Sequence, residues 1–141
     1  MFSFDTHVRV RYADTDQMQV VYHGKFIEYF EVGRTDSMRS LGIVYKDLEK
    51  SGILMPVISL DCKFIRPAKY DDLLTVRTLL DQLPNNHSII FKNEIYNAEN
   101  QLLCIGQVKL YFMNKSDFSK ISIPEILLNK LSPFFENTPS I

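Results

Sequence analysis

The residues best able to do chemistry lie in one short stretch, residues 12–26 (YADTDQMQVVYHGKF). It contains two carboxylates, Asp14 and Asp16, and the aromatic and imidazole side chains of Tyr22 and His23, and it leads into a helical pattern. A helix start carries unpaired N–H groups and about half a positive charge. Such N–H groups can polarise a carbonyl in acyl transfer, with a nearby carboxylate as base or nucleophile. A simpler interpretation also fits: an aspartate caps a turn, and His23 merely precedes the helix.

Other catalytic and metal-binding motifs are missing from the sequence. It contains no G-x-S-x-G, no Gly-rich phosphate loop and no H-E-x-x-H. Cys62 and Cys104 each lie in an apolar, strand-like run and belong to no C-x-x-C pair. We therefore expect two buried free thiols, with a disulfide or a catalytic thiol as the alternative. The three histidines lack metal-ligand spacing, so we expect no metal and no bound redox cofactor.

A long helix is predicted after the catalytic candidates, from about Gly24 to Leu41. Apolar and small residues there recur at helical spacing and share one face: Phe26, Tyr29, Phe30, Gly33, Ser37 and Leu41. A mid-helix glycine costs about 1 kcal/mol relative to alanine, so Gly33 indicates close packing on this face, as by a curved sheet. Gly42 stands where a helix commonly ends, and a shorter helix is predicted at residues 45–50.

The remaining pattern predicts strands. Residues 5–12 alternate as one half-buried strand, and four more follow the short helix: 54–65, 72–82, 87–96 and 102–113. Short turns join these four strands, which favours an antiparallel sheet. Ser122 to Glu125 form a Ser-x-x-Glu capping box that predicts a last helix. The result is an α+β architecture whose sheet either wraps the single long helix or is covered by a second subunit.

Length, charge and the distribution of apolar residues exclude several classes of function. The 141 residues fit one domain spanning residues 1–141, and no linker or repeat divides them. A formal charge of −1 provides no general attraction for nucleic acid. No apolar run is long enough to span a bilayer, and the first residues alternate instead of forming a signal-peptide core. We expect a cytoplasmic protein without membrane insertion.

Two longer stretches carry a family resemblance. RYADTDQMQVVYHGKF, followed by EYFEVGRTD, resembles the signature of the 4-hydroxybenzoyl-CoA thioesterase-like branch of the hotdog superfamily, and MPVISLDCKFIRPAKYDDLL is similar to a later part of that branch. The resemblance covers nearly the whole chain. It implies a hotdog fold, in which a five-stranded antiparallel sheet wraps one long helix, and hydrolysis of acyl-CoA thioesters.

The resemblance also implies residue roles. Asp16 would attack the thioester carbonyl or activate a water, and the His23 N–H would polarise that carbonyl. Tyr22 would line the site with His23, while Asp14 would support the loop. Among the substrate-contacting positions are the neighbours Val21 and Gly24. Two departures, Gln19 in place of the usual glycine and Lys25 in place of a small polar residue, flank the acyl site and bear on the substrate.

Glu31 is a second candidate for the catalytic carboxylate. In a sister branch the catalytic glutamate lies about two turns into the helix, near this position. The alternative is an ordinary ion pair between Glu31 and Arg34 at i+3 spacing. We expect Asp16 to be the essential carboxylate and Glu31 to lie near the substrate.

Coenzyme A phosphates require a local basic cluster in this nearly neutral chain. Lys63, Arg66 and Lys69 are the candidates, with a solvated turn as the alternative. In related enzymes the pantetheine arm runs between two subunits, so we expect a homodimer or a tetramer built from dimers. Two other functions stay open: a non-catalytic acyl-CoA-binding module, and a dehydratase or hydratase, which usually needs a histidine paired with an acid.

Overall fold

The computed structural model describes residues 1–84 and 86–136. The strands are β1 (Phe2–Arg9), β2 (Ile53–Leu54), β3 (Val57–Phe64), β4 (Leu73–Leu80), β5 (Ser88–Tyr96), β6 (Leu102–Tyr111) and β7 (Met113–Asn114). The α-helices are α1 (His23–Ser40), α2 (Tyr45–Lys50) and α3 (Glu125–Leu131), and 3-10 turns lie at Tyr12–Asp14 and Ser132–Phe134. Five strands form one antiparallel sheet in the order β1-β4-β5-β6-β3, and β2 pairs with β7. The predicted α+β architecture is confirmed.

Helix α1 packs its predicted face against the sheet. Phe26, Tyr29 and Phe30 on this face are buried. A Cβ at Gly33 would lie 2.7 Å from a methyl of Val76 and 2.8 Å from the hydroxyl of Thr78, both on β4. Gly33 therefore lets the helix approach the sheet more closely than any side chain would allow, as its position in mid-helix predicted.

Three boundaries differ from prediction. β1 ends at Arg9 and not at residue 12, because the chain turns into the 3-10 turn that begins at Tyr12. The predicted strand 54–65 is divided into β2 and β3 around Pro56, whose missing N–H cannot join a ladder. The prediction of a capping box at Ser122 was wrong: Pro124 is the N-cap of α3 and makes no side-chain cap, so Ser122 lies outside the helix.

The sheet is covered unevenly. Helix α1 lies most closely over β1 and β4, while β3 is the edge strand at the other side of the sheet. All residues of β3 except Cys62 are exposed in the single chain, including the apolar Val57, Leu60 and Phe64. An exposed apolar edge strand is a surface that proteins normally cover.

Both cysteines are free. Cys104 is buried, Cys62 is half-buried, and their Sγ atoms are 3.1 Å apart across neighbouring strands. Among the described residues, no helix has the length and apolar character needed to cross a membrane. Within the same ranges, no group of histidine, cysteine, aspartate or glutamate side chains is arranged to hold a metal ion.

Candidate active site

Asp14 anchors the loop that leads into α1. Its buried carboxylate accepts hydrogen bonds from the Arg11 N–H (3.1 Å), the Arg11 guanidinium (3.2 Å) and the Tyr29 hydroxyl (2.8 Å). Its backbone oxygen accepts from the Tyr22 N–H at 2.9 Å. Asp14 thus joins the end of β1, the middle of α1 and the residue before the helix, which is the loop-supporting role predicted for it.

The environment of Asp14 keeps its carboxylate charged. Burial alone raises the pKa of Asp14, but the hydrogen bonds from the Arg11 backbone, the Tyr29 hydroxyl and the Arg11 side chain outweigh burial and lower it. Burial and the hydrogen bond to Asp14 raise the pKa of Tyr29 well above its usual range. Tyr29 therefore remains a donor and Asp14 an acceptor across the neutral pH range.

Asp16 lies in a small closed loop. A bridge between Thr15 and Val21 closes it, with hydrogen bonds of 2.9 Å from the Asp16 N–H to the Val20 oxygen and from the Gln19 N–H to the Asp16 oxygen. One carboxylate oxygen of Asp16 accepts from the Met18 N–H at 2.9 Å. The side chain is half-buried, and its second oxygen accepts no hydrogen bond from the described residues. Asp16 thus combines a fixed backbone with an available oxygen.

The start of α1 presents N–H groups next to this loop. The N-cap Tyr22 provides no side-chain cap, and no described residue accepts a hydrogen bond from the N–H of His23 or Gly24. These groups and the helix dipole favour developing negative charge at this point. A Cβ at Gly24 would lie 2.8 Å from the Tyr22 ring, so the glycine also makes room for that ring.

An aromatic wall borders the helix start. The ring centroids of Tyr22 and His23 are 4.2 Å apart, and Phe64 on β3 lies 6.0 Å from His23 and 5.7 Å from Phe26. Val21, predicted to contact substrate, is buried in the core with 5% exposure. Its direct contribution is therefore packing, together with an N–H that donates to the Ala68 oxygen at 2.8 Å.

The other candidate groups lie elsewhere. Glu31 is exposed on α1, two turns beyond His23, and the alternative considered for it, an ion pair with Arg34, does not form. Burial raises the pKa of both cysteine thiols, which disfavours the alternative of a catalytic thiol. His7 contacts Thr75 and His87 contacts Asn86, so neither forms the histidine–acid pair of a dehydratase with the candidate site.

The three predicted phosphate-binding residues are not all brought together. Arg66 and Lys69 lie in the loop after β3, which the Val21–Ala68 hydrogen bond joins to the Asp16 loop. Lys63 points the other way: it pairs in register with the exposed Ile105, whereas its neighbour Phe64 pairs with the buried Cys104. Lys63 therefore lies on the face of the sheet opposite the helix.

Two features of the site were missed from sequence. Tyr29 was counted only as part of the apolar face, although its hydroxyl holds Asp14. Phe64 was treated only as a strand residue, although its ring contacts His23. The alternation of β3 places Phe64 on the helix side, but only the sheet order brings that strand end to the start of α1.

The fold and the helix-start site together define a hotdog-type protein of the thioester-handling class. The sequence profile of the thioesterase-like superfamily matches residues 10–131, and the chain belongs to this family. YneP of Bacillus subtilis is 33% identical over 114 residues, which cover 81% of this chain and 82% of that protein. The acyl-CoA thioesterase YbgC of Helicobacter pylori is 30% identical over 132 residues, with 88% and 96% covered. The structure of a DHNA-CoA thioesterase from Staphylococcus aureus matches with a TM-score of 0.85 at 28% identity, and 98% of each chain is covered.

Proposed function

We propose that this chain is an acyl-CoA thioesterase whose active site is formed by Asp16 and the start of α1. The observation that carries the proposal is a half-buried carboxylate with an available oxygen, next to a helix start whose first N–H groups are unpaired. The activities named for the relatives from Helicobacter and Staphylococcus support the same reaction class.

The chemistry follows from these two elements. The N–H groups of His23 and Gly24 donate hydrogen bonds to the thioester carbonyl oxygen and stabilise the negative charge that develops when the carbonyl carbon becomes tetrahedral. Asp16 either attacks that carbon itself, forming a mixed anhydride that water then hydrolyses, or takes a proton from the attacking water. In both routes the C–S bond breaks and the products are the free acid and coenzyme A.

A second copy of the chain completes the site. The edge strand β3 borders the aromatic wall through Phe64 and is exposed along almost its whole length. Pairing of β3 with another copy would cover this edge and leave a cleft between subunits for the pantetheine arm. We infer a homodimer, or a tetramer of such dimers, with acyl-CoA as the small-molecule partner.

Substitution of Asp16 by asparagine tests the assignment. The amide is nearly isosteric, so folding and CoA-ester binding should persist, while kcat should fall by more than about 10²-fold, as removal of a general base typically gives. Glu31→Gln is the matched control and should retain most turnover. If Asp16→Asn kept near-normal turnover and Glu31→Gln lost it, Glu31 on the helix would be the catalytic carboxylate instead of Asp16. Binding of acyl-CoA without hydrolysis by the unaltered protein would indicate a binding module instead.

A further inference from the structure

The edge strand β3 carries two opposite charges without partners. Asp61 and Lys63 are exposed and lie on the face of the sheet that points away from α1. Neither forms an ion pair within the part of the chain that the structure describes. Leu60, Cys62 and Phe64 alternate with them and lie on the helix side. The free edge of β3 therefore has charges on one face and apolar side chains on the other.

The backbone of β3 limits how a second copy can pair with it. The Ile65 N–H donates to the Leu103 oxygen at 2.8 Å, on the β6 side, and the bonding direction alternates along an antiparallel strand. The N–H and C=O groups of Leu60, Cys62 and Phe64 therefore face the free edge. A second copy related by a two-fold axis through the sheet can bond to these groups only in registers that place these same residues opposite one another.

The charges distinguish these registers. With Asp61 on the axis two carboxylates would lie opposite each other, and with Lys63 on the axis two ammonium groups would, which is destabilising. An axis at Leu60 runs the pairing into the bulge at the start of β3, and an axis at Phe64 leaves most of the strand unpaired. With Cys62 on the axis, each Asp61 lies opposite Lys63 of the partner subunit, and the regular part of the strand pairs along its length.

This register brings a residue of the second copy to the candidate active site. Leu60 of the partner subunit lies opposite Phe64, and directly opposite side chains in an antiparallel pair have Cβ atoms about 5 Å apart. The Phe64 ring centroid is 6.0 Å from that of His23 and 5.7 Å from that of Phe26. The partner's Leu60 therefore extends the aromatic wall at the start of α1.

We propose that β3 pairs with β3 of a second copy about a two-fold axis at Cys62. Each Asp61 then lies opposite Lys63 of the partner subunit, and Leu60 of each subunit completes the active-site wall of the other. The reciprocal ion pairs select the register, while the apolar contacts on the helix side supply most of the association. The inference rests on the proposed function, in which two copies form the site, and deepens it by assigning the register and the residue that the partner contributes.

Disulfide formation measures the register without requiring hydrolysis. In Cys104→Ser the competing thiol is removed, so diamide can oxidise the two Cys62 thiols of a dimer to one disulfide and is itself reduced to the hydrazine. Opposite Cα atoms are about 5.5 Å apart, which a disulfide spans. A shift to the next allowed register moves them about 6.8 Å along the strand, so their separation exceeds the disulfide limit of about 7 Å.

We expect oxidised Cys104→Ser to run on a non-reducing gel at twice the 16.4 kDa chain mass. The variant Cys62→Ser/Cys104→Ser is the control and should give no covalent dimer. Absence of the covalent dimer from Cys104→Ser, or its formation in the control, would overturn the register.

Charge reversal tests the ion pairs. Asp61→Lys and Lys63→Asp each place like charges opposite one another twice per dimer, so each should raise the dimer Kd at least about tenfold in sedimentation. The combined variant Asp61→Lys/Lys63→Asp restores opposite charges and should return the Kd to near its unaltered value. Lys63→Ala should change it little, because an exposed ion pair contributes little. Glu94→Lys is the control, on the same face of the sheet but on β5. A combined variant as weak as the two single variants together would overturn the pairing.

Mixed dimers test whether Leu60 acts on the site of the other subunit. One chain of each dimer carries Asp16→Asn, so that only the other chain has a working site. Leu60→Ala on the inactive chain removes the side chain that borders the working site and should raise KM for acyl-CoA several-fold. The same substitution on the active chain borders the silent site and should change KM by much less. Equal effects, or the reverse order, would overturn the assignment of Leu60. Absence of hydrolysis in the unaltered protein would contradict the proposed function and the role of Leu60 with it, while the gel and the Kd would still decide the register.

Discussion

Tyr29 stabilises the loop that precedes α1 through one hydrogen bond, 2.8 Å long, to the buried Asp14 carboxylate. Tyr29→Phe removes this donor and leaves the charge buried, so the free energy of unfolding at pH 7 should fall by about 1.5–3 kcal/mol. Urea denaturation measures the change. Tyr96→Phe is the matched control, because it removes a partly exposed hydroxyl bonded to Glu94 and should cost much less. Phe91→Leu would not serve as a control, because it opens a cavity.

The same carboxylate gives a pH dependence with a defined sign. The pKa of Asp14 is lower in the folded protein than its ordinary value, so the unfolded chain binds the proton more tightly. Its contribution to stability is complete above the unfolded pKa, near 3.9, and is lost as the pH falls through the lower folded pKa. Stability measured from pH 6 to pH 2 should therefore decline less in Tyr29→Phe than in the unaltered protein. Parallel declines would contradict this role for Asp14.

Gln19 holds a backbone conformation that favours glycine. Its φ is 66°, in the left-handed region that costs an ordinary residue about 1 kcal/mol or more. Gln19→Gly should raise the free energy of unfolding by up to about 1 kcal/mol, measured by urea denaturation. Asn100, with φ 60°, is the matched control, because asparagine tolerates this region and its replacement by glycine should gain less. Equal gains at both positions would indicate that the strain at Gln19 is not specific.

Residue types in the sequence drew attention to the candidate loop, residues 12–26, but not to the side chain that supports it. Asp14, Asp16 and His23 stood out because charged and imidazole groups are dense in one short loop. Tyr29 did not stand out, since a helical pattern assigns faces without telling which hydroxyl binds a buried carboxylate. The sequence showed that Gln19 stands where the family usually has glycine. The physical reason for that glycine, a positive φ at this position, is seen only in the backbone.

The loop after β3 carries two candidate phosphate-binding residues, and a hydrogen bond joins it to the candidate active-site loop. Val21 donates to Ala68 in this loop at 2.8 Å, and Arg66 and Lys69 on either side are exposed. If they bind the nucleotide end of CoA, Arg66→Ala/Lys69→Ala should raise KM for acyl-CoA several-fold and leave kcat little changed. The effect should weaken with added salt.

Two comparisons sharpen this prediction. Lys63→Ala removes the same charge from the opposite face of the sheet and should leave KM unchanged. A short pantetheine thioester lacks the nucleotide, so the double variant should hydrolyse it almost normally. Equal damage with both substrates would show that the loop supports the fold instead of binding phosphate.

Element order was the most predictable property of the chain, because periodicity changes from strand to helix at clear positions. The short helix at Tyr45–Lys50 and the glycines after α1 and α2, Gly42 and Gly52, followed from local signals. The Ser122 capping box failed because Pro124, with a ψ of 139°, is itself the N-cap, so the helix begins at Glu125. The grouping of Lys63 with Arg66 failed because strand alternation separates them by face.

The uncovered β3 edge predicts self-association of the chain, since its apolar residues, among them Val57, Leu60 and Phe64, are exposed in the single chain. Light scattering at micromolar concentration should give a species of at least twice the 16.4 kDa chain mass. Leu60→Lys, which places a charge on the apolar side of this edge, should release monomers and lower kcat/KM because the cleft opens. Ile90→Lys is the matched control: at 43% exposure, against 40% for Leu60, it lies on the opposite face of the sheet and should remain at least dimeric. A fully active species of one chain would contradict both the dimer and the shared cleft.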